Sequence, residues 1–533
     1  MHGKRPTVSS LHGVVAAAHP LAAQAGAKLL GSGGNAFDAA AATAAALTVV
    51  EPYMSSLAGL GCATCYIAAE NRVRVLDFVP RVPAKFPVAR LSKRAELARG
   101  ALSVAAPANF AGWAELVHAY GKKPLAAALA PAIALASDGF GLSEFGVAEI
   151  NEQRPLIKEH PSLFQGWAAT YGCATRPVAL GQILRQPQLA RTLEELAADG
   201  AGTLYGGRLA DAILAHVAKL GGCLTIEDLG AVKPEWRNPL VVRYRDLLVN
   251  SAPPPSEAFQ FLLALRILDG FDLSRLPRNG VEHLDCVWRA IRLAAGERVA
   301  NALPRPDELA RVLADGNVER LRTRLRAAKP IDAPTEQWTG ASLELQGEQH
   351  TTSFSVGDRA GNVVCVTQSL GSPFGSGVVV PGTGVCLNNL LFWADVTPAS
   401  PNRARPGDAL CMCLAPSISL RENACVLALG TPGSYGILQT QVQALVQYRD
   451  FGLSLQDAIE EPRARLWDGR LVEAESRLDA AVLDALSQRG HVIRRGEPWT
   501  MRVGGMQAIA IDPATGLMIG ACDPRRDGYV ATG

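Results

Sequence analysis

The stretch from His350 to Asn389, HTTSFSVGDRAGNVVCVTQSLGSPFGSGVVVPGTGVCLNN, holds the densest set of groups able to do chemistry. Ser353–Asp358 and Val363–Leu370 are β-type runs separated by Arg359-Ala360-Gly361-Asn362, which predicts a hairpin. Centring the turn on Ala360 places Thr351 opposite Ser369, with their Cβ atoms about 5 Å apart. Two facing hydroxyls form a candidate nucleophile pair, one attacking and the other orienting it. The bland alternative is a pair of solvated polar residues at strand ends, the commoner use of such side chains.

The elements that must position this pair follow from local pattern. His19–Leu30 predicts a helix ended by Gly31-Ser32-Gly33-Gly34, and Asn35 can cap a second helix over Ala36–Val50, closed by Pro52. Further helical stretches fall at Gly112–Tyr120, Leu125–Ala136, Ala190–Ala198 and Ala210–Leu220, with short β-type runs at Tyr66–Ala69 and Val73–Phe78. Leu276–Leu345 is arginine-rich with little apolar periodicity at its end, and Pro330–Gly340, PIDAPTEQWTG, reads as a mobile surface linker. After the hairpin come strands broken by Gly and Pro turns, helical patterns at Gln439–Gln447 and Leu455–Glu460, and a hairpin over Met506–Gly520.

Composition narrows the function classes. The chain has 533 residues, with 52 Lys plus Arg against 50 Asp plus Glu, a net charge of +2 that gives no electrostatic reason to expect nucleic acid or an anionic membrane as partner. A hydrophobic fraction of 48% argues against disorder. The apolar run Ala39–Val50 ends at Glu51-Pro52, well short of the roughly 20 residues a bilayer requires. The basic start MHGKRPTVSSLHG has no long apolar run behind it, so no secretory signal is read and a cytoplasmic location is expected. The 11 cysteines are odd in number and several lie in apolar runs, which suits free buried thiols in a reducing compartment. No histidine pair at a spacing of three to five completes a metal site with Cys62-Cys65 or Cys411-Cys413.

Several segments, in order along nearly the whole chain, resemble the γ-glutamyltranspeptidase family of N-terminal nucleophile hydrolases. They are GVVAAAHPLAAQAGAKLLGSGGNAFDAAAATAAALTVVEP at 13–52, PAIALASDGF at 131–140 and GGCLTIEDLG at 221–230, then the hairpin with its PGTG and LNN, LGTPGSYG at 429–436 and DPRRDG at 523–528. The resemblance implies an α/β (α+β) fold, a four-layer αββα sandwich. It also implies an inactive precursor that cuts itself before a threonine, here between His350 and Thr351 by match to the family's TT-x-x-S-V-x-D pattern. Residues 1–350 would form a helix-rich large subunit and 351–533 a small one, together one composite domain. The chemistry has a physical logic. A threonine hydroxyl is a weak nucleophile, and a free α-amine with a pKa of roughly 8 is a suitable base that exists only after the preceding peptide bond breaks.

The same resemblance assigns roles. Ser369 matches the family's second threonine, which bonds the nucleophile, and Pro432-Gly433-Ser434 matches the PGG turn whose N–H groups form the oxyanion hole, each worth about 3 kcal/mol in the transition state. Asn388 and Asn389 match paired asparagines ahead of the substrate-recognition residues. No metal or organic cofactor is called for.

The departures cluster where a γ-glutamyl group would be held. In LDFVPRVPA, Val79 stands where the family has the arginine for the α-carboxylate, with Arg81 two residues on. The positions that grip the α-amine read Gly371, Leu390 and Trp393, and the two carboxylate-holding serines fall near Met412 and Cys413. A zwitterion held there would keep unpaired charges at a cost of several kcal/mol each.

The expected activity is therefore a self-cleaving acyl hydrolase or acyltransferase working through a threonyl acyl-enzyme. Its substrate would be a small amide or related acyl compound other than glutathione, with water or an amine as acceptor, and with Arg81 as a substitute anchor or Asp395 as a displaced amine partner. Family members with altered clamps act on oxamate, on acyl side chains of β-lactams, and on a carbon–carbon bond in alkylproline antibiotic pathways. A true γ-glutamyl enzyme with a rebuilt clamp, a C–C bond hydrolase and a non-catalytic scaffold remain open alternatives at this point.

Overall fold

A computed structural model describes residues 5–327, 329–334 and 350–533. Its centre is a pair of seven-stranded sheets, antiparallel throughout. The strands are β1 (Val8–Ser10), β2 (Gly13–Ala17), β3 (Leu60–Ile67), β4 (Arg72–Phe78), β5 (Glu235–Arg237), β6 (Leu240–Tyr244), β7 (Leu247–Ser251), β8 (His350–Asp358), β9 (Val363–Gly371), β10 (Ser417–Arg421), β11 (Ala424–Gly430), β12 (Gln507–Ile511), β13 (Met518–Cys522) and β14 (Tyr529–Thr532). One sheet runs β14-β2-β8-β9-β3-β4-β5, and the other β1-β13-β12-β11-β10-β7-β6.

Period-two alternation explains the stacking. In β2, Val14 and Ala16 pack with Ile509, Met518 and Val530 between the sheets. Val15 and Ala17 point the other way, into a core shared with α1 (Pro20–Gly31), α2 (Ala36–Val50) and α3 (Leu125–Asp138). The second sheet repeats the pattern, with Leu427 and Leu429 facing α5 (Phe259–Leu268), α6 (Val281–Ala300) and α7 (Ile437–Arg449), while Ile418 and Ala428 face the first sheet. These are four layers, helix–sheet–sheet–helix, as the resemblance implied.

Most predicted elements are present. α2 begins at the expected cap: the Asn35 Oδ1 accepts from Phe37 N at 3.0 Å, and Asp38 Oδ2 accepts from Asn35 N at 2.8 Å. Of the short β run predicted at Tyr66–Ala69, only Tyr66 and Ile67 are strand, closing one that starts at Leu60, while Ala68 and Ala69 turn into a 3-10 helix over Ala68–Glu70. The middle of the chain departs most. Val281–Ala300 is a 20-residue helix whose arginines are buried, Arg292 giving its guanidinium to the carbonyls of Trp467, Gly469 and Leu471. Apolar periodicity misses such a helix because charged side chains form part of its buried face. Of the expected linker, 335–340 lies outside the described residues, as does 341–349 after it.

All 11 cysteines are free, and nine of them are buried. No helix among the described residues is long and apolar enough to cross a membrane, and no cluster of three or more His, Cys, Asp or Glu among them could hold a metal ion.

Candidate active site

The hairpin forms in the predicted register, with Thr352 opposite Gln368 and Gly357 opposite Val363. At its open end a bulge intervenes. His350 pairs with Gly371, so the single residue Thr351 faces both Ser369 and Leu370. The bulge is held from outside the pair, since Leu370 N donates to Met54 O at 3.1 Å while Ser369 pairs with Leu60 of β3.

Around Ser369 Oγ the hydrogen bonds close a small circuit. Thr351 Oγ1 donates to it at 3.2 Å, Gly371 N donates to it at 2.9 Å, and its own proton goes to the carbonyl oxygen of His350 at 2.8 Å. One hydroxyl thereby orients the threonine oxygen and polarises the adjoining peptide carbonyl. Thr351 is 3% exposed and His350 4%. The pair predicted from spacing is therefore a buried one, and the solvated reading fails.

Three charged residues to which the sequence reading gave no role complete the surroundings. Arg526, in the DPRRDG motif, donates from Nη1 to Thr351 O at 2.8 Å, while its Nε and Nη2 are buried without a partner. Burial pushes its pKa down, opposed by the carboxylates of Glu51 and Glu149. Glu51, the C-cap of α2, accepts from Thr352 Oγ1 at 2.8 Å, and its other oxygen is buried without a partner. Burial outweighs Arg526 and Thr352 and raises its pKa to about 7. Glu149, on α4 (Glu144–Glu152), places Oε2 at 2.7 Å from His350 Nε2, at an angle that leaves neither atom an aligned hydrogen bond. Burial raises the Glu149 pKa, but His350 and Arg526 prevail and hold it below the usual carboxylate range. A charged residue inside a buried motif, such as Glu51 ending an apolar helix, was the signal available in the sequence.

Beside Arg526 in the same motif lies a buried ion network. Asp523 bridges Arg463 and Arg525, and Arg525 also meets Glu475 Oε2 at 2.6 Å, all of them buried. Burial alone would raise Asp523, yet the two guanidiniums push it down to about 2.

The Gly433-Ser434 turn lies close by. A Cβ on Gly505 would meet Arg526 Cδ at 2.7 Å, and Gly505 N donates to Thr431 Oγ1 at 3.2 Å, joining this turn to the arginine that holds Thr351. Gly433 has φ +123 and Ser434 φ +54, and Arg465 Nη1 takes the Gly433 carbonyl at 2.6 Å. Fixing that carbonyl sets the peptide planes of the turn, which opens directly into α7. The serine in place of glycine is accommodated in a left-handed conformation.

The other predicted positions divide into groups. Gly371 and Asn389 sit beside the bulge: a Cβ on Gly371 would collide with Asn389 Oδ1, and that oxygen accepts from Ser372 N at 2.9 Å. Asn388 is fully engaged, accepting from Ala105 N and Leu390 N and donating to the carbonyls of Ala58 and Ala105. Val79 and Met412 line one narrow cavity with Cys62, Pro255 and Leu414. Leu390 and Cys413 are buried in the core against the second sheet, and Trp393 packs on Tyr435 with ring centroids 5.7 Å apart. Asp395 spends Oδ1 on Thr397 N at 3.0 Å. Arg81 is exposed on an adjoining cleft that Val79, Asp77 and Pro255 also line, together with Glu227 and Lys233, and its Nη1 lies 3.4 Å from Gly407 O.

Comparison with known proteins shows the family. The family profile described as Gamma-glutamyltranspeptidase matches residues 22–533. The chain belongs to this family. It is 34% identical to the "Acylase ACY 1 proenzyme" of Pseudomonas sp. (strain SE83), over 98% of this chain and 94% of that one. It is 28% identical to the "Glutathione hydrolase proenzyme" of Bacillus subtilis (strain 168), over 97% and 90% respectively. Among solved structures, the cephalosporin acylase from Bacillus halodurans superposes with a TM-score of 0.91 at 30% identity, covering 100% of this chain and 98% of that one. The protein is thus an enzyme of the N-terminal nucleophile amidohydrolase type, a γ-glutamyltranspeptidase-like acyl hydrolase.

Proposed function

We propose that this enzyme matures by breaking its own His350–Thr351 bond and then hydrolyses or transfers acyl groups through an ester on Thr351. The observation that carries the reading is the hydrogen-bond circuit of Thr351 Oγ1, Ser369 Oγ and His350 O. In maturation Thr351 Oγ attacks the His350 carbonyl carbon, whose oxygen Ser369 polarises. The C–N bond breaks, the nitrogen takes the hydroxyl proton, and water then hydrolyses the ester to leave the His350 carboxylate and a free Thr351 amine.

In turnover that amine takes the proton of the same hydroxyl, Oγ attacks the substrate carbonyl, and the N–H groups of Gly433 and Ser434 receive the developing oxyanion. The amine passes its proton to the leaving group. Water or an amine acceptor then releases the acyl group. "Proenzyme" in the names of both relatives supports a precursor cut into two subunits, here 1–350 and 351–533.

An acyl group other than glutamyl, in a cytoplasmic enzyme, is the substrate reading we favour. Leu390, Trp393 and Met412 are all buried among apolar side chains, and a glutamyl zwitterion has no counter-charge at those positions. Arg81 lines the same cleft as Val79 and is a cation available there as a substitute anchor for the acyl group. Mass spectrometry of purified protein tests the proposal: fragments ending at His350 and beginning at Thr351, absent in Thr351→Ala, are expected, whereas an active unbroken chain would overturn it. Release of 4-nitroaniline from its γ-glutamyl derivative would overturn the substrate reading alone.

A further inference from the structure

We infer that Glu149 forms a subsite of the processed enzyme that takes a cationic nitrogen carried on the substrate's acyl group, about five bonds from the acyl carbon. The inference rests on Thr351 being the nucleophile of both reactions.

In the uncut chain, His350 is the acyl part of the amide that Thr351 attacks. The carbonyl carbon of a later substrate must come to the same oxygen, so the space beside it filled by the His350 side chain becomes space for the substrate's acyl chain. That space is buried, and its polar wall is the Glu149 carboxylate, 2.7 Å from the ring Nε2. Scission frees the imidazole to leave with the end of the 1–350 chain. A carboxylate left buried in this way regains stability most directly from a new cation at the same place.

The surroundings oppose an anion. Arg526 is the cation facing Glu149, and it also faces Glu51 while giving Nη1 to Thr351 O. One guanidinium thus bonds a single carbonyl while lying in the field of two carboxylates. The counting of bonds comes from histidine itself, whose Nε2 lies as far along its side chain as the nitrogen of a 5-aminopentanoyl group lies from its carbonyl carbon. Loss of the amine-gripping positions at Gly371, Leu390 and Trp393 is then a relocation of the amine, not its abandonment.

Three anilides test this on purified, processed enzyme: 5-aminopentanoyl, hexanoyl (the same length, neutral) and glutaryl (an anion near the same place) 4-nitroanilide. The amine compound should lead hexanoyl in kcat/KM by about tenfold or more, with glutaryl last. Glu149→Gln should erase the lead of the amine over hexanoyl. A wild-type preference for hexanoyl or glutaryl, or an amine preference that survives in Glu149→Gln, overturns the subsite while leaving Thr351 as nucleophile. Should Glu149→Gln stay uncut, the wild-type ranking decides. A wild-type chain that remains single and turns over none of the three would overturn the nucleophile assignment, and the subsite with it.

Discussion

Ser369 Oγ lies 3.2 Å from Thr351 Oγ1 and 2.8 Å from the carbonyl oxygen of His350, so one hydroxyl serves both atoms that must react. The bulge that lets one residue face two brings this about, since a regular ladder would carry the Ser369 and His350 groups past each other. Removing the hydroxyl in Ser369→Ala should slow self-scission by about 100-fold, as loss of an oxyanion donor does elsewhere. Ser369→Thr should retain scission. A time course of fragment appearance on a denaturing gel reads both.

Replacing the nucleophile separates chemistry from folding. Thr351→Ala should remain one folded chain with a melting temperature lowered by only a few degrees, because one 3.2 Å hydrogen bond and one buried methyl group are lost. Thr351→Ser keeps the attacking oxygen and should still yield both fragments. Intact-mass measurement with calorimetry checks the pair.

Glu51 should impose a pH dependence on stability. Its carboxyl is raised from 4.5 to about 7 in the folded chain, so the folded state holds the proton more tightly than the unfolded state does. The stability this provides is complete below about pH 4.5 and is lost as pH rises through about 7, at most about 3 kcal/mol over the window. Glu51→Gln keeps an oxygen for Thr352 Oγ1 and cannot ionise. Relative to wild type, its melting temperature should gain between pH 5 and pH 8.

Arg526 holds Thr351 O and stands between Glu51 and Glu149. Arg526→Met would leave the Glu149 carboxylate buried without this cation and drive Glu51 to its protonated form, a loss of about 3–5 kcal/mol. Urea unfolding of the uncut Thr351→Ala background, with and without Arg526→Met, measures this without interference from scission.

Breaking the buried network beneath it should act on stability in acid as well. Asp523, pushed down to about 2 by Arg463 and Arg525, contributes stability that is present above its ordinary value of 3.8 and lost as pH falls toward 2. Asp523→Asn should therefore be destabilised at pH 7 and differ less from wild type near pH 2, which acid titration followed by circular dichroism can read.

The sequence by itself determined the hairpin, its register, the Thr351–Ser369 pairing and the helices of the first layer. Those depend on alternation, turn residues and caps, which are local and survive as pattern. It also raised the expectation that a γ-glutamyl clamp is replaced, since Val79, Leu390 and Met412 carry no charge. The tertiary structure alone decided the rest. Glu51, Glu149 and Arg526 come from a helix end, the body of another helix and the β13–β14 loop, and meet around the β8–β9 bulge only in the folded chain. The buried arginine helix at Val281–Ala300 and the surface position of Arg81 were decided there too. Burial and charge pairing are relations between distant segments, and a side chain's identity does not state whether it will be desolvated or what will face it.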